Sequence, residues 1–328
     1  MCALFLCSLF SLTSNAAPDD LNLRILPIPA ESKKSLNDET NRAFITAKKD
    51  WFTWCPSVIK DKDGKYHMFH TRWPKSIGFC SWLTHSIIVH EIADKPEGPY
   101  KEVSIAIPDT GKDRNNWFTA HNSKIKFFEG KYYLYFIQTR GTNINDKVRE
   151  EIARTGYSHP RWNTEIRPNQ RTFVARSSSI NGPWKISIKP IVEPAKTISV
   201  LTVNPAVCRG PDGTYFMIVK GDKPEAKGFV RNQALATSPR PEGPWTIQDK
   251  PVIDNLDTED CSMWYDSVRK RFYAVFHAHT FIGMMTSEDG LKWEKASQYK
   301  LCAKEIPFDD GTNWNPERME RPFILTDE

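Results

Sequence analysis

One phrase recurs along the chain, and it limits the fold more than any other feature. The first copy runs from Pro56-Ser57-Val58-Ile59 through Asp63-Gly64-Lys65-Tyr66 to Glu97-Gly98-Pro99-Tyr100. The second runs from Asn122-Ser123-Lys124-Ile125 through Glu129-Gly130-Lys131-Tyr132 to Asn181-Gly182-Pro183-Trp184. The third runs from Asn204-Pro205-Ala206-Val207 through Asp212-Gly213-Thr214-Tyr215 to Glu242-Gly243-Pro244-Trp245. The fourth starts at Cys261-Ser262-Met263-Trp264 and ends at Asp289-Gly290-Leu291-Lys292-Trp293. A fifth begins at Arg321-Pro322-Phe323-Ile324.

Each copy reads as a small antiparallel sheet. A short apolar strand meets an acid-Gly turn, the strongest local hairpin signal. A β-rich strand follows: Tyr66 to Phe69, Tyr132 to Ile137, Tyr215 to Val219 and Phe272 to Phe276. A third strand runs into the Gly-Pro-aromatic turn, which leads to an outer edge strand. Four-stranded blades repeated every ~40 to 70 residues predict an all-β, five-bladed β-propeller over residues 51–328, the last blade incomplete. The competing architecture is a β-sandwich whose turns are alike by chance. Trp184, Trp245 and Trp293 lie in the repeated turn and are expected to pack the blades.

Two stretches depart from the pattern. Residues 18–50 precede the first blade as an N-terminal extension with a short helix. Residues 141–171 interrupt the second blade, and Asp146 to Thr155 reads as a helix stopped by Gly156. Insertions of this kind form pocket walls. Ahead of them, Ala3 to Leu12 is a short apolar run followed by Ser14, Asn15, Ala16 and Ala17. It is too short to span a bilayer. It reads as a signal peptide over residues 1–17, although no Lys or Arg precedes it, and implies a secreted or periplasmic protein.

Composition excludes several classes. Hydrophobic residues make up 39% and charged residues 26%, so a folded core is expected. The 45 basic and 40 acidic residues are interspersed with no basic block, which argues against a nucleic-acid partner. A mean hydropathy of −0.53 argues against membrane insertion. Beyond the leader, Cys55, Cys80, Cys208, Cys261 and Cys302 show no zinc spacing and no assignable pairing.

Propeller symmetry brings distant positions to one place. The inner strands start at Trp54-Cys55, His121-Asn122, Val203-Asn204, Glu259-Asp260 and Glu320-Arg321. The second strands end near His70 and Arg72, Gln138 and Arg140, Lys220 and Asp222, and His277 and His279. Few of these residues suit an apolar core, so a polar ligand site on the axis is predicted.

The repeated strand, acid-Gly-Lys-Tyr turn and Gly-Pro-Trp turn resemble the five-bladed glycoside hydrolases of family 43 and relatives such as family 117. The resemblance implies a hydrolase acting on an oligosaccharide or polysaccharide. Family 43 places a general-base Asp before the Pro of the first inner strand, where this chain has Cys55. It places a second Asp where His121-Asn122 stand, and a Glu acid at the third-blade position held by Asn204. Family 117 has a His as proposed acid, which draws attention to His121, His277 and His279.

The candidate catalytic residues are therefore Asp260, Glu259 and His121, because glycoside cleavage uses two proton-handling groups. The candidate substrate-binding residues are Trp54, His70, Arg72, Asn122, Arg140, Asn204, Lys220, His277, His279, Glu320 and Arg321. Trp54 and Trp73 could stack on sugar rings. No cofactor and no catalytic metal is assigned, while a structural calcium or other cation in the central channel is left open. The expected function is an exported glycoside hydrolase acting on plant or algal material, with an anionic sugar as one option. The alternatives are a non-catalytic sugar-binding propeller that has lost its base at Cys55, and a polysaccharide lyase.

Overall fold

The structure is a computed structural model that describes residues 21–109, 116–228 and 230–326. The expected leader lies outside the described residues. Sixteen strands form four antiparallel sheets, each with its strands in chain order. Blade 1 comprises β1 (Trp51–Lys60), β2 (Tyr66–Pro74), β3 (Ile87–Ala93) and β4 (Lys101–Ile107). Blade 2 comprises β5 (Trp117–Phe128), β6 (Lys131–Arg140), β7 (Gln170–Ser177) and β8 (Lys185–Ile186). Blade 3 comprises β9 (Ser199–Arg209), β10 (Tyr215–Asp222), β11 (Arg231–Ser238) and β12 (Thr246–Ile253). Blade 4 comprises β13 (Thr258–Asp266), β14 (Arg271–Ala278), β15 (Phe281–Ser287) and β16 (Glu294–Ala303).

The repeated turns work by local chemistry. The Asp61 carboxylate accepts from the Asp63 and Lys65 amides, and Asp212 and Asp266 hold their own turns in the same way. In the Gly-Pro-aromatic turns, Gly98, Gly182 and Gly243 have φ of 88°, 87° and 98°. A Cβ there would lie 2.9, 3.1 and 2.9 Å from the rings of Tyr100, Trp184 and Trp245. Only glycine fits both the backbone and the ring folded over it.

The core lies between blades. Phe69 and Ile88 of blade 1 meet Leu134, Phe136 and Phe173 of blade 2. Tyr133, Tyr135 and Val174 meet Val207, Tyr215 and Met217 of blade 3. Ile218 and Leu235 meet Met263, Phe272 and Phe276 of blade 4. As expected, the turn rings serve this packing: Trp184 meets Phe69 edge-on at 5.6 Å, and Trp245 and Trp293 join the two later seams.

Four complete blades form, and the incomplete blade is expected in the fifth sector. Among the described residues this sector holds no four-stranded sheet. It is filled instead by the N-terminal extension, a small hairpin of β17 (Ile306–Pro307) and β18 (Asn313–Trp314), and the segment ending at residue 326. Leu23 exchanges hydrogen bonds with the Gln298 side chain of β16. Residue Ile28 pairs in parallel with Phe308. After α1 (Lys33–Asp38), Asn41 and Phe44 reach the Tyr100 and Glu97 carbonyls of blade 1. The extension thus straps blade 4 to blade 1. Among the described residues, no helix is long and apolar enough to cross a membrane.

The register of the fifth sector is nonetheless marked. Cys55, Asn122, Asn204, Asp260 and Arg321 have φ of 57°, 57°, 56°, 67° and 61°. The first four sit at bulges in the inner strands, and Arg321 is their fifth-sector equivalent. Asn and Asp tolerate this left-handed conformation better than Cys or Arg, so those two positions hold strain fixed by their surroundings.

Candidate functional site

The five left-handed residues form a hydrogen-bonded ring around the axis. The Cys55 thiol donates to Asn122 Oδ1 at 2.7 Å. The Asn122 amide donates to Asn204 Oδ1, and Asn204 donates to Asp260 Oδ1 at 2.6 Å. The Arg321 guanidinium pairs with Asp260 and reaches the Cys55 thiol. Burial pushes that thiol up to about 11, so it stays protonated and able to donate.

Above the ring opens a cavity of about 590 Å³. One wall is aromatic: Trp54, Trp73, Phe79, Trp82, Tyr157 and Trp162. Two insertions build much of it. Residues 75–86 carry Phe79 and α2 (Trp82–His85), and residues 141–169 carry α3 (Asp146–Thr155), Tyr157 and a π-helical turn at Trp162–Ile166. Leu83, Phe118, Ile152, Trp162 and Ile166 bind the two together. The predicted helix forms, capped by Asn145 and ended at Gly156 with φ 56°. A Cβ on Gly156 would lie 2.5 Å from Cys80 Sγ, so this glycine lets the insertions touch. Trp82 stacks on His121 at 4.7 Å and donates to the Tyr157 hydroxyl at 3.3 Å.

The cavity is also lined by charged side chains. Lys220 Nζ lies 2.8 Å from Glu259 Oε2, and Arg231 Nε lies 3.5 Å from Oε1. Arg231 also pairs with Asp257 at 2.9 Å, which holds His279 at 2.9 Å. Arg167 grips Asp222 through two bonds of 2.5 Å. Lys304 donates to His277 Nε2 at 2.7 Å, and Arg318 pairs with Glu320 at 3.3 Å.

These contacts set the protonation states. Burial alone would raise the Glu259 carboxyl, but Lys220, Arg321 and Arg231 hold it well below the usual carboxylate range. Glu259 is therefore an anion near neutral pH, a base or charge stabiliser and not a proton donor. Burial, and then Arg321, push His121 well below an ordinary histidine. Burial and the Lys304 charge take His277 down to about 4. Both imidazoles are therefore neutral near pH 7 and add no positive charge to the site.

Of the residues singled out in the sequence, Trp54, His121, Asn122, Asn204, Lys220, Glu259, His277, His279, Glu320 and Arg321 line the cavity. Asp260 lies beneath it in the ring, with no exposed side chain. Three residues are placed elsewhere. His70 stands 3.4 Å from Glu91 and lines a second cavity of about 390 Å³. Arg72 pairs with Glu102 at 2.6 and 3.1 Å, and its guanidinium covers Trp51. Both share a face of β2 with Met68, whose contacts are Ala93 and Tyr100 of blade 1. Arg140 is exposed and covers Trp117. Sequence reasoning missed Trp82, Tyr157, Trp162, Arg167, Gln170, Arg231, Lys304 and Arg318. The sequence marks the insertion as a wall, but no periodicity singles out its pocket-facing side chains.

A channel cation is a poor fit. Glu259, Asp260 and His277 offer ligand atoms within 4.8 Å of one another. Arg321 already occupies Asp260, and Lys220 and Arg231 already occupy Glu259. A metal ion would join three cations around two carboxylates. No disulfide joins the five cysteines of the described residues.

Neither a known-family profile nor a curated protein matches the sequence. Solved structures do. A family 117 glycoside hydrolase of Zobellia galactanivorans aligns with a TM-score of 0.59 at 17% identity, over 80% of this chain and 74% of its own. A protein of unknown function from Dyadobacter fermentans gives 0.56 at 15%, over 78% and 72%. The GH43_1 enzyme of Xanthomonas citri, solved with xylotriose, gives 0.52 at 13%, over 81% and 79%. The fold is that of the family 117 and family 43 propellers. At these identities the likeness is one of fold. The resemblance implied carboxylates at three ring positions, and those positions hold Cys55, Asn122 and Asn204, each consumed by ring hydrogen bonds.

Proposed function

We propose that the protein is a glycoside hydrolase whose axial cavity binds an oligosaccharide from plant or algal material. The observation that carries this reading is an ionised carboxylate, Glu259, lining one cavity of about 590 Å³ together with six aromatic rings. Flat rings cover the apolar faces of sugars, and the polar lining satisfies their hydroxyls. A cavity of this size encloses a sugar ring or two. Glu259 acts as base on a water that attacks the anomeric carbon, or stabilises positive charge developing there; the glycosidic C–O bond breaks, and the leaving oxygen takes its proton from solvent. His121, neutral with an unpartnered Nδ1 among the described residues, binds a hydroxyl. Asp260 positions Arg321 and Asn204 from below. Export, read from the leader, suits a polymer-degrading enzyme and is checked by cell fractionation.

The test is release of reducing ends from a panel of oligosaccharides. Turnover by the wild type, with a loss of about 100-fold or more in Glu259→Gln, is the expected result. A second reading has its own support. Cys55, Asn122 and Asn204 leave three ring positions without a carboxylate, which favours a propeller that binds sugar without cutting it. Saturable binding with no reducing ends across the panel would establish that alternative. A product absorbing in the ultraviolet would instead point to elimination.

A further inference from the structure

We propose that the cavity takes a sugar bearing an anionic substituent, a carboxylate or a sulfate ester, and that Lys304 receives it. This rests on the carbohydrate reading and refines it. Six cationic side chains line the cavity: Arg167, Lys220, Arg231, Lys304, Arg318 and Arg321. Five are met by carboxylates, in turn Asp222, Glu259, Asp257, Glu320 and Asp260. Lys304 is the exception. Among the described residues its hydrogen-bond partner is His277.

That pairing fixes a direction. For His277 Nε2 to accept from the ammonium, the ring proton must sit on Nδ1, which faces Asp260 Oδ2 at 3.4 Å. The imidazole thereby aims Lys304 without neutralising it. The two carboxylates whose charges act on Lys304, Glu320 and Glu259, are engaged by other cations. Glu259 is held by Lys220 and Arg231, Glu320 pairs with Arg318, and Glu317 stands exposed at the rim. An anion entering the cavity meets one cation still short of a charge partner. Ammonium-to-carboxylate and ammonium-to-sulfate bonds strengthen where water is partly excluded. Phe79, beneath the Arg318 guanidinium, joins the aromatic wall to the charged side chains, so a ring lying on that wall presents its substituent to them.

The experiment is calorimetric binding to the full chain of a galacturonate trisaccharide, a sulfated galactan tetrasaccharide and a neutral galactotriose, at low and high salt. We expect at least one anionic probe to bind ten-fold or more tighter than the neutral one at low salt. The ratio should shrink as salt rises. Lys304→Met should reduce the ratio about ten-fold, and Lys304→Arg should keep most of it. Arg72→Met, outside the cavity, is the charge control and should leave the ratio unchanged. The two anionic arms distinguish uronate from sulfate. A wild-type ratio near one, or a ratio unchanged in Lys304→Met, overturns the proposal and leaves the carbohydrate reading standing. Absence of binding by all three probes overturns both. If Lys304→Met fails to fold, the wild-type ratio and its salt dependence decide alone.

Discussion

Lys124 is the residue whose placement runs most against its chemistry. It follows the ring on β5, is 6% exposed, and its Nζ has no hydrogen-bond partner among the described residues. The Phe323 ring lies 5.3 Å away. Burial lowers its pKa from 10.5 to about 8. The folded state thus carries a penalty below pH 8 that is relieved as pH rises from about 8 to 10.5, where the unfolded chain still binds the proton. Stability should rise across that window in urea titrations. Lys124→Met should add on the order of 2–3 kcal/mol at pH 7 and flatten the rise. No rise in the wild type would count against a buried ammonium. Arg321 predicts the opposite. Its removal strands a carboxylate with no exposed side chain, so Arg321→Met should cost about 3–5 kcal/mol by the same titration. With Arg321 in place, chelator should leave the melting temperature unchanged. A clear drop on adding chelator would show that a metal is held after all.

At this scale the ring positions were legible, because symmetry alone brings the inner-strand starts together. The protonation states were not, since burial and neighbouring charge decide them. Nor was the placement of His70 and Arg72. Alternation along β2 says that they share a face, but not which neighbour that face meets.

At the scale of elements, the hairpins and the Gly-Pro turns followed from residues that permit few other conformations. The helix at Asp146–Thr155 was readable from its glycine stop. The turns at residues 75–86 were not, for a four-residue helix has no period to detect. Yet Trp82 and Phe79 on those turns shape the cavity as much as any strand residue. The joint between the insertions offers a test. Gly156→Ala places a methyl group against Cys80 Sγ at a backbone angle that disfavours it. We expect a loss of about 2 kcal/mol in thermal stability, with weaker sugar binding as Tyr157 shifts. Binding unchanged despite lower stability would show that the wall does not depend on this joint.

For the whole molecule, the repeat announced a propeller, and four blades obey it. Of the fifth sector only the start at Arg321 and its incompleteness were legible, because its filler carries no repeat. Leu21, Leu23 and Ile324 cover Trp264 and Tyr273, the face of blade 4 that a fifth blade would meet. The strap closes the circle by a few contacts at each end. Leu23→Asp should therefore cost about 2 kcal/mol, and hydrogen exchange should quicken first in blades 1 and 4. Uniform exchange across all blades would show that closure does not run through the strap.

The ring at the axis also has a sense of circulation. Arg321 can only donate, and the Asp260 carboxylate can only accept. Between this source and this sink, the thiol and two amides pass donors in one rotational direction, from Cys55 to Asn122 to Asn204. Turning over either amide would set donor against donor on one side and acceptor against acceptor on the other. The five residues are therefore locked as one switchless circuit. Asn204→Asp, a change of a single heavy atom, would set two carboxylates side by side in the ring and interrupt it.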